Sequence, residues 1–369
     1  MSCCRKPTTT SRVRCKRIIA VRKITPFAQP TCRHHYHQNM ERAATNAAKA
    51  IIDEEIAENL NIKQLFSALK TFRIADLGCS VGPNTFIAVH NIIAAVEHKY
   101  RSEGLDSSIP EFQVFFSDQT SNDFNTLFTT LPLDRRYFVA GVPGSFHGRL
   151  FPEASLHFVY SAYALQFLSK LPKEVVEKSS PAWNKGKIHY SNAPNEVVEA
   201  YSAQFAKDIQ TFLYARSQEL VSGGLLALIM PSIPNGTLLS QSFLGIPVEL
   251  MGSTLMDMAK MGLVSEAKVD SFNLPTYLTS PQELEGLVER NGCFSIMKLC
   301  LVDSSMKHNA QSLTMHVRAG VEGMVGEHFG TEIIDELFNR YCAKLEEYSF
   351  IFDSDYQKGN QLFVILKRK

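Results

Sequence analysis

Between Glu41 and Leu60, apolar residues recur every three or four positions, at Ala44, Ala47, Ala48, Ile51, Ile52, Ile56 and Leu60. That spacing predicts a helix with one buried stripe. FRIADLG then breaks the rhythm with a short apolar run that closes on an acid and a glycine, the mark of a buried strand. NTFIAVHNIIAAVEHKY returns to helical spacing through Phe86, Val89, Ile92, Ile93 and Val96. EFQVFFSD predicts a second strand ending in Asp118, and NDFNTLFTTL a helix. YFVAGVPGSF predicts a third strand that breaks at Pro143 and Gly144, and LHFVYSAYAL a fourth. A long amphipathic stretch, VVEAYSAQFAKDIQTFLYARSQEL, leads into a fifth strand, SGGLLALIMP. Strands alternating with helices predict an α/β fold, a Rossmann-like core with a mostly parallel, doubly wound sheet.

The alternation then stops. Residues 236–310 read as helices and loops, approached through Pro231, Pro234 and Pro247. SLTMHVRAG and QLFVILKRK are predicted as late strands, with a helix over EIIDELFNRYCAKLEEY between them. The expected organisation is a core of 36–235 and 311–369, a helical cap inserted at 236–310, and a leader over 1–35.

Composition narrows the function classes. The chain has 369 residues, 45% of them hydrophobic and 20% charged, as in ordinary globular proteins. A net charge of +1 gives no bias toward nucleic acid or an acidic membrane surface. No apolar run approaches the ~20 residues that cross a bilayer. Eight cysteines without metal-site spacing read as reduced thiols. The leader differs from the rest: no acid precedes Glu41, while Arg5, Lys6, Arg12, Arg14, Lys16, Arg17, Arg22, Lys23 and Arg33 are basic. It fits a disordered basic tail, a start-site artefact of the gene model, or a transit peptide. The expected location is the cytoplasm, or a chloroplast or mitochondrion if the leader is a transit signal.

The candidate chemistry gathers at the strand ends. A dinucleotide calls for G-x-G-x-x-G after the first strand. The pattern here is Asp76-x-Gly78-x-x-x-Gly82, and Ser80 and Val81 would crowd a pyrophosphate. An acid that takes an ammonium group, beside a glycine that lets backbone approach, suits S-adenosylmethionine. Asp118, ending the second strand, is placed for a ribose diol. Gly144, Ser145 and Phe146, after the third, offer a hydroxyl and a ring to an adenine. The bland reading of each is a turn residue or a core aromatic; three successive strand ends with matching chemistry argue against it.

ADLGCSVGPNTF, FFSDQTSNDFNTLF, VAGVPGSFHGRLFP, SAYALQFLSKLP, NKGKIHY and VDSFNLP together resemble the plant SABATH methyltransferases, from Tyr36 to the C-terminus. That family methylates carboxyl groups of small acids and ring nitrogens of xanthines. The resemblance implies that Tyr36, Asp76, Gly78, Cys79, Asn84, Asp118, Gln119, Ser145 and Phe146 line the S-adenosylmethionine site. It implies that Tyr163, Gln166 and Phe167 face the acceptor, with Glu41 beside them. Asn184, Asp270, Phe272 (through its carbonyl) and Asn273 match positions that hold magnesium in some family members; a solvated loop without metal is the alternative. A homodimer is implied as well, and neither nucleic acid nor membrane is an expected partner. Two family donors to the acceptor carboxylate are missing: Glu41 stands where a glutamine belongs and Phe167 where a tryptophan does; beside Glu41, Met40 departs from the family's serine. No general base is evident, and a carboxylate acceptor needs none. The expectation is a carboxyl O-methyltransferase with altered acceptor choice. A non-catalytic cofactor-binding homologue and a purine N-methyltransferase are the alternatives. A nicotinamide oxidoreductase is disfavoured by the glycine spacing and by the lack of Tyr-x-x-x-Lys near the fourth strand.

Overall fold

The computed structural model describes residues 48–63, 70–303, 308–353 and 360–369. Tyr36, Glu41 and the basic leader lie outside them. Helix α1 runs over 48–59. It is followed by β1 (Thr71–Leu77), α2 (Pro83–Ser102), β2 (Glu111–Asp118), α3 (Phe124–Thr129), β3 (Phe138–Pro143) and β4 (Leu156–Ala162). The chain continues through α4 (Asn195–Glu219), β5 (Leu220–Pro231), α5 (Ile246–Lys260), α6 (Glu266–Ser271) and α7 (Pro281–Asn291). It ends with β6 (Phe294–Asp303), α8 (Ala310–Phe329), α9 (Ile334–Glu347) and β7 (Asn360–Arg368).

All seven strands form one sheet in the order β3-β2-β1-β4-β5-β7-β6. The first five are parallel. β7 runs antiparallel to β5, and β6 antiparallel to β7. Period-two alternation splits the core. Ile74 packs with Val89, Ile92 and Ile56 on the face covered by α1 and α2. Its neighbours Ala75 and Leu77 point the other way, into the cluster of Tyr201, Phe205, Phe212 and Leu287 from α4 and α7. A third apolar cluster joins α5, α8 and α9 through Leu255, Leu313, Leu337 and Tyr341.

Two expectations are corrected. SLTMHVRAG is not a strand; it lies within α8. Leu313, Met315 and Val317 alternate like strand residues, but Asn309 and Ser312 form a reciprocal capping box (Ser312 N–H to Asn309 Oδ1 2.8 Å, Asn309 N–H to Ser312 Oγ 2.8 Å). That cap starts a helix, and Leu313, Val321 and Val325 then fall on its packed side. Phe294–Asp303, read as part of the cap, is instead the edge strand β6. Its side chains from Ser295 to Val302 are half-exposed or exposed, as on an edge strand, even though Leu299 to Val302 are all apolar. The helical layer over the sheet therefore draws on residues 310–347 as well as 246–271.

Candidate active site

In this strand order the chain winds outward in both directions from β1 and β4. The switch point, with its crevice beyond the strands' carboxyl ends, lies between those two. Asp76, Ser117 and Ala162 sit at or near the ends of β1, β2 and β4.

The β1 loop is built for close approach. Gly78 has φ +85°, and a Cβ there would lie 2.5 Å from Ala164 Cβ in the loop after β4. Only glycine meets both conditions. The amides of Gly78 and Cys79 both donate to Ser117 O, at 2.8 and 3.2 Å. Asp76 is buried and accepts a short hydrogen bond from Thr85 Oγ1, at the start of α2. Asn84 is buried beside Thr85, and α2 begins at Pro83 with no side-chain cap on its first amides. Burial, with Asp76 and Asp118 nearby, pushes the Cys79 thiol far up, so it stays protonated and is no nucleophile.

Asp118 ties the loops together. Its Oδ2 accepts from Ser80 N–H at 2.8 Å and its Oδ1 from Gln119 N–H at 2.7 Å. Its own carbonyl accepts from Gly144 N–H at 2.9 Å. Ser80 is held at φ +53°, a strained value for a non-glycine, by the Asp118 bond and by Asn122 Nδ2 on its carbonyl at 3.2 Å. Burial raises the Asp118 carboxyl above its ordinary value, against the two amides that lower it. Each carboxylate oxygen keeps a second lone pair for a diol.

After β3, Ser145 is exposed and Phe146 half-buried, its ring edge-on to Phe212 at 6.3 Å. A fully buried ion pair, Arg216–Glu219 at 2.7 Å, stands behind this loop. After β4, Tyr163 turns the chain with φ +53°, its N–H on Ile229 O at 2.8 Å. Gln166 Nε2 donates to Tyr163 O at 2.7 Å, and its Oε1 is buried with no hydrogen-bond partner among the described residues. Phe167 pairs with Thr276, and Tyr277 N–H donates to Gln166 O at 2.8 Å, clipping this segment to 275–277.

The four residues expected at a magnesium site form a cluster of their own. Asn184 Nδ2 donates to Asn273 Oδ1 at 2.7 Å and to His189 O at 3.1 Å; Asp270 Oδ1 accepts from Gly186 N–H at 2.8 Å. Phe272 is buried next to them. Asn184 Oδ1 is buried without a partner among the described residues, while Asn273 Oδ1 is taken by Asn184 and, more weakly, by Tyr201 OH at 3.4 Å. Among the described residues, no three His, Cys, Asp or Glu side chains converge as a metal site.

The structure thus brings Asp76, Gly78, Cys79, Asn84, Asp118, Gln119, Ser145 and Phe146 to adjoining strand ends, loops and the first turn of α2, with Tyr163, Gln166 and Phe167 on the loop that Gly78 touches. Sequence reading missed Thr85, Ala164 and the Arg216–Glu219 pair. Only the last left a signal, a charged pair three residues apart at the end of a mostly apolar helix face.

A doubly wound sheet with an acid–glycine loop at its switch point defines a nucleoside-binding enzyme of the S-adenosylmethionine-dependent methyltransferase class. Residues 31–369 match the family described as SAM dependent carboxyl methyltransferase. Loganic acid O-methyltransferase of Catharanthus roseus is 45% identical over 344 residues, 91% of this chain and 92% of its own length. Farnesoic acid carboxyl-O-methyltransferase of Arabidopsis thaliana is 40% identical over 335 residues, 90% and 94% of the two chains. The solved structure of loganic acid methyltransferase with SAH superposes with a TM-score of 0.87 at 43% identity, covering 93% of this chain and 96% of that one. The chain belongs to the SABATH family of S-adenosylmethionine-dependent carboxyl methyltransferases.

Proposed function

We propose that the chain moves the methyl group of S-adenosylmethionine onto a carboxylate oxygen of a small acid, by in-line displacement and without a general base. The observation that carries this reading is the make-up of the β4 loop. Residues 163–168 offer tyrosine, glutamine and phenylalanine, and no imidazole, carboxylate or amine. A carboxylate of pKa ~4 arrives ionised. The sulfonium already carries a good leaving group, so positioning remains, and effective molarity lowers the barrier by up to ~7–11 kcal/mol. Asp76 and Asp118 would hold the ammonium and ribose ends of the cofactor. The acceptor of the Catharanthus relative, loganic acid by its name, sets the size class.

The acceptor end supports an altered choice within that class. The Phe167 side chain donates no hydrogen bond, and Gln166 has one of its two amide N–H donors committed to Tyr163 O, with its Oε1 buried and unpartnered among the described residues. Each missing donor to a charged acceptor costs ~1.5–3 kcal/mol. An acid that brings its own hydroxyl or N–H would suit Gln166 better than a bare carboxylate.

Magnesium is proposed as a brace between the 184–192 and 270–273 segments. Asn184 Oδ1 and Asp270 are donors a hard cation accepts, but Asn273 would have to give up its bond to Asn184, so the fit is partial. A homodimer is proposed from the resemblance; sedimentation velocity of the purified chain tests it.

The deciding experiment incubates the full chain with methyl-labelled S-adenosylmethionine and a panel of small acids, phenols and purines. A product that loses its label in mild alkali is the expected ester. An alkali-stable product places the methyl elsewhere. Binding of S-adenosylhomocysteine with no labelled product from any acceptor would replace an enzyme with a binding protein.

A further inference from the structure

The loop between β3 and β4 has no regular structure over residues 144–151, yet it carries Ser145 and Phe146. Loops of that kind ordinarily satisfy their backbone from water. This one is satisfied by two charged side chains that have no solvent exposure at all. Arg216 Nη1 donates to Phe146 O at 2.7 Å and Nη2 to Gly148 O at 2.8 Å. Two more donors bind Glu219, Nε to Oε2 at 2.7 Å and Nη2 to Oε1 at 2.9 Å. Glu219 Oε1 in turn accepts the amides of Leu150 and, at 3.0 Å, Phe151. Two side chains, one turn apart at the end of α4, therefore hold two carbonyls and two amides of one loop.

The arrangement has a directional consequence. In a trans peptide the carbonyl and the following N–H point opposite ways. With the carbonyls of Phe146 and Gly148 turned onto the guanidinium, the amides of His147 and Arg149 face away from it. Arg216 also lies over the Phe212 ring, 5.1 Å from its centroid, and that ring meets Phe146 edge-on. The pair thus sets both the peptide orientation of the loop and the seat of the Phe146 ring. A buried ion pair contributes little net stability against apolar replacements, so its presence here needs another reason.

We propose that Arg216 and Glu219 are positioning residues for the adenine end of the cofactor site: they hold the Ser145–Phe146 loop in the one shape that receives the base, without touching cofactor or acceptor themselves. The proposal rests on the reading that this loop binds the adenine of S-adenosylmethionine. It separates cofactor affinity from chemistry, because the methyl group and acceptor lie at the β1 and β4 ends.

Arg216→Lys keeps the charge and loses the fork; Glu219→Gln keeps the shape and loses the charge. Titration calorimetry of wild type and both variants uses S-adenosylhomocysteine and S-inosylhomocysteine, which differ only in the base. In each folded variant the dissociation constant for S-adenosylhomocysteine should rise tenfold or more, and the preference over the inosine analogue should shrink toward one. The turnover number at saturating cofactor should stay within about threefold of wild type. Wild-type affinity and wild-type base preference in a variant with a lowered melting temperature would overturn the proposal and leave the pair merely structural. If Arg216→Lys does not fold, the same readings on Glu219→Gln decide. Failure of the underlying reading looks different: wild type itself would then bind neither ligand, or bind the two equally.

Discussion

At the scale of single residues, three positions make sharp predictions. Gly78 has both a left-handed backbone and Ala164 at van der Waals contact or closer. Gly78→Ala should abolish cofactor binding and lower stability by about 1–3 kcal/mol, read by calorimetry and urea melts. Retained affinity would show that the loop can re-form. Asp118 holds Ser80 and Gln119 as well as its proposed ribose contact, so Asp118→Ala should raise the cofactor dissociation constant at least tenfold. Unchanged affinity would remove Asp118 from the site. His157 accepts Arg73 N–H at 2.9 Å through Nδ1 and stacks on Phe72. Burial, then the Arg73 charge, pushes its pKa down from 6.5 to about 4. The unfolded chain therefore binds the extra proton between those values, and stability falls as pH drops through that window. The loss is on the order of 3 kcal/mol. His157→Asn, whose Oδ1 stands in for Nδ1, should flatten the decline; an equally steep one would assign the acid lability to other groups.

At the scale of elements, the strand ends act as pairs rather than singly. β1 and β2 share Ser117 O and Asp118, and β2 and β3 share Asp118 O with Gly144. Such ties explain how loops without regular structure hold a site to a fraction of an ångström. The β4 loop, the proposed acceptor end, is instead clipped to 275–277 in the segment that follows α6. Here the lost donors can be restored. Phe167→Trp with Glu41→Gln should raise kcat/KM on small carboxylic acids lacking a hydroxyl by tenfold or more. A flat response would mean the carboxylate is held elsewhere.

At the scale of the whole molecule, the helical layer and the sheet are joined by the 184–192 and 270–277 segments, where the magnesium proposal lies. Addition of millimolar magnesium to chelator-treated protein should raise the melting temperature if the cation is held there, by mass action. Identical melts with magnesium and with chelator would leave the Asn184–Asn273 bond as the brace by itself.

The sequence alone determined the parallel half of the sheet and placed acid and glycine at its strand ends. There the signal is local: a buried strand must be an apolar run, and a ligand at its end demands acid and glycine within a few residues. It read the helix α9 and the strand β7 rightly but misread two segments of the last third, because α8 alternates like a strand over Leu313 to Val317 until its Asn309–Ser312 cap is considered, and because β6 is a half-exposed edge strand. Only the tertiary structure decided that Ala164 forbids any side chain at residue 78, that Gln166 commits an amide N–H to Tyr163 O, and that Arg216 and Glu219 stand buried behind the Ser145–Phe146 loop. Those facts depend on partners tens of residues away, and no spacing along the chain encodes which peptide a folded side chain will meet.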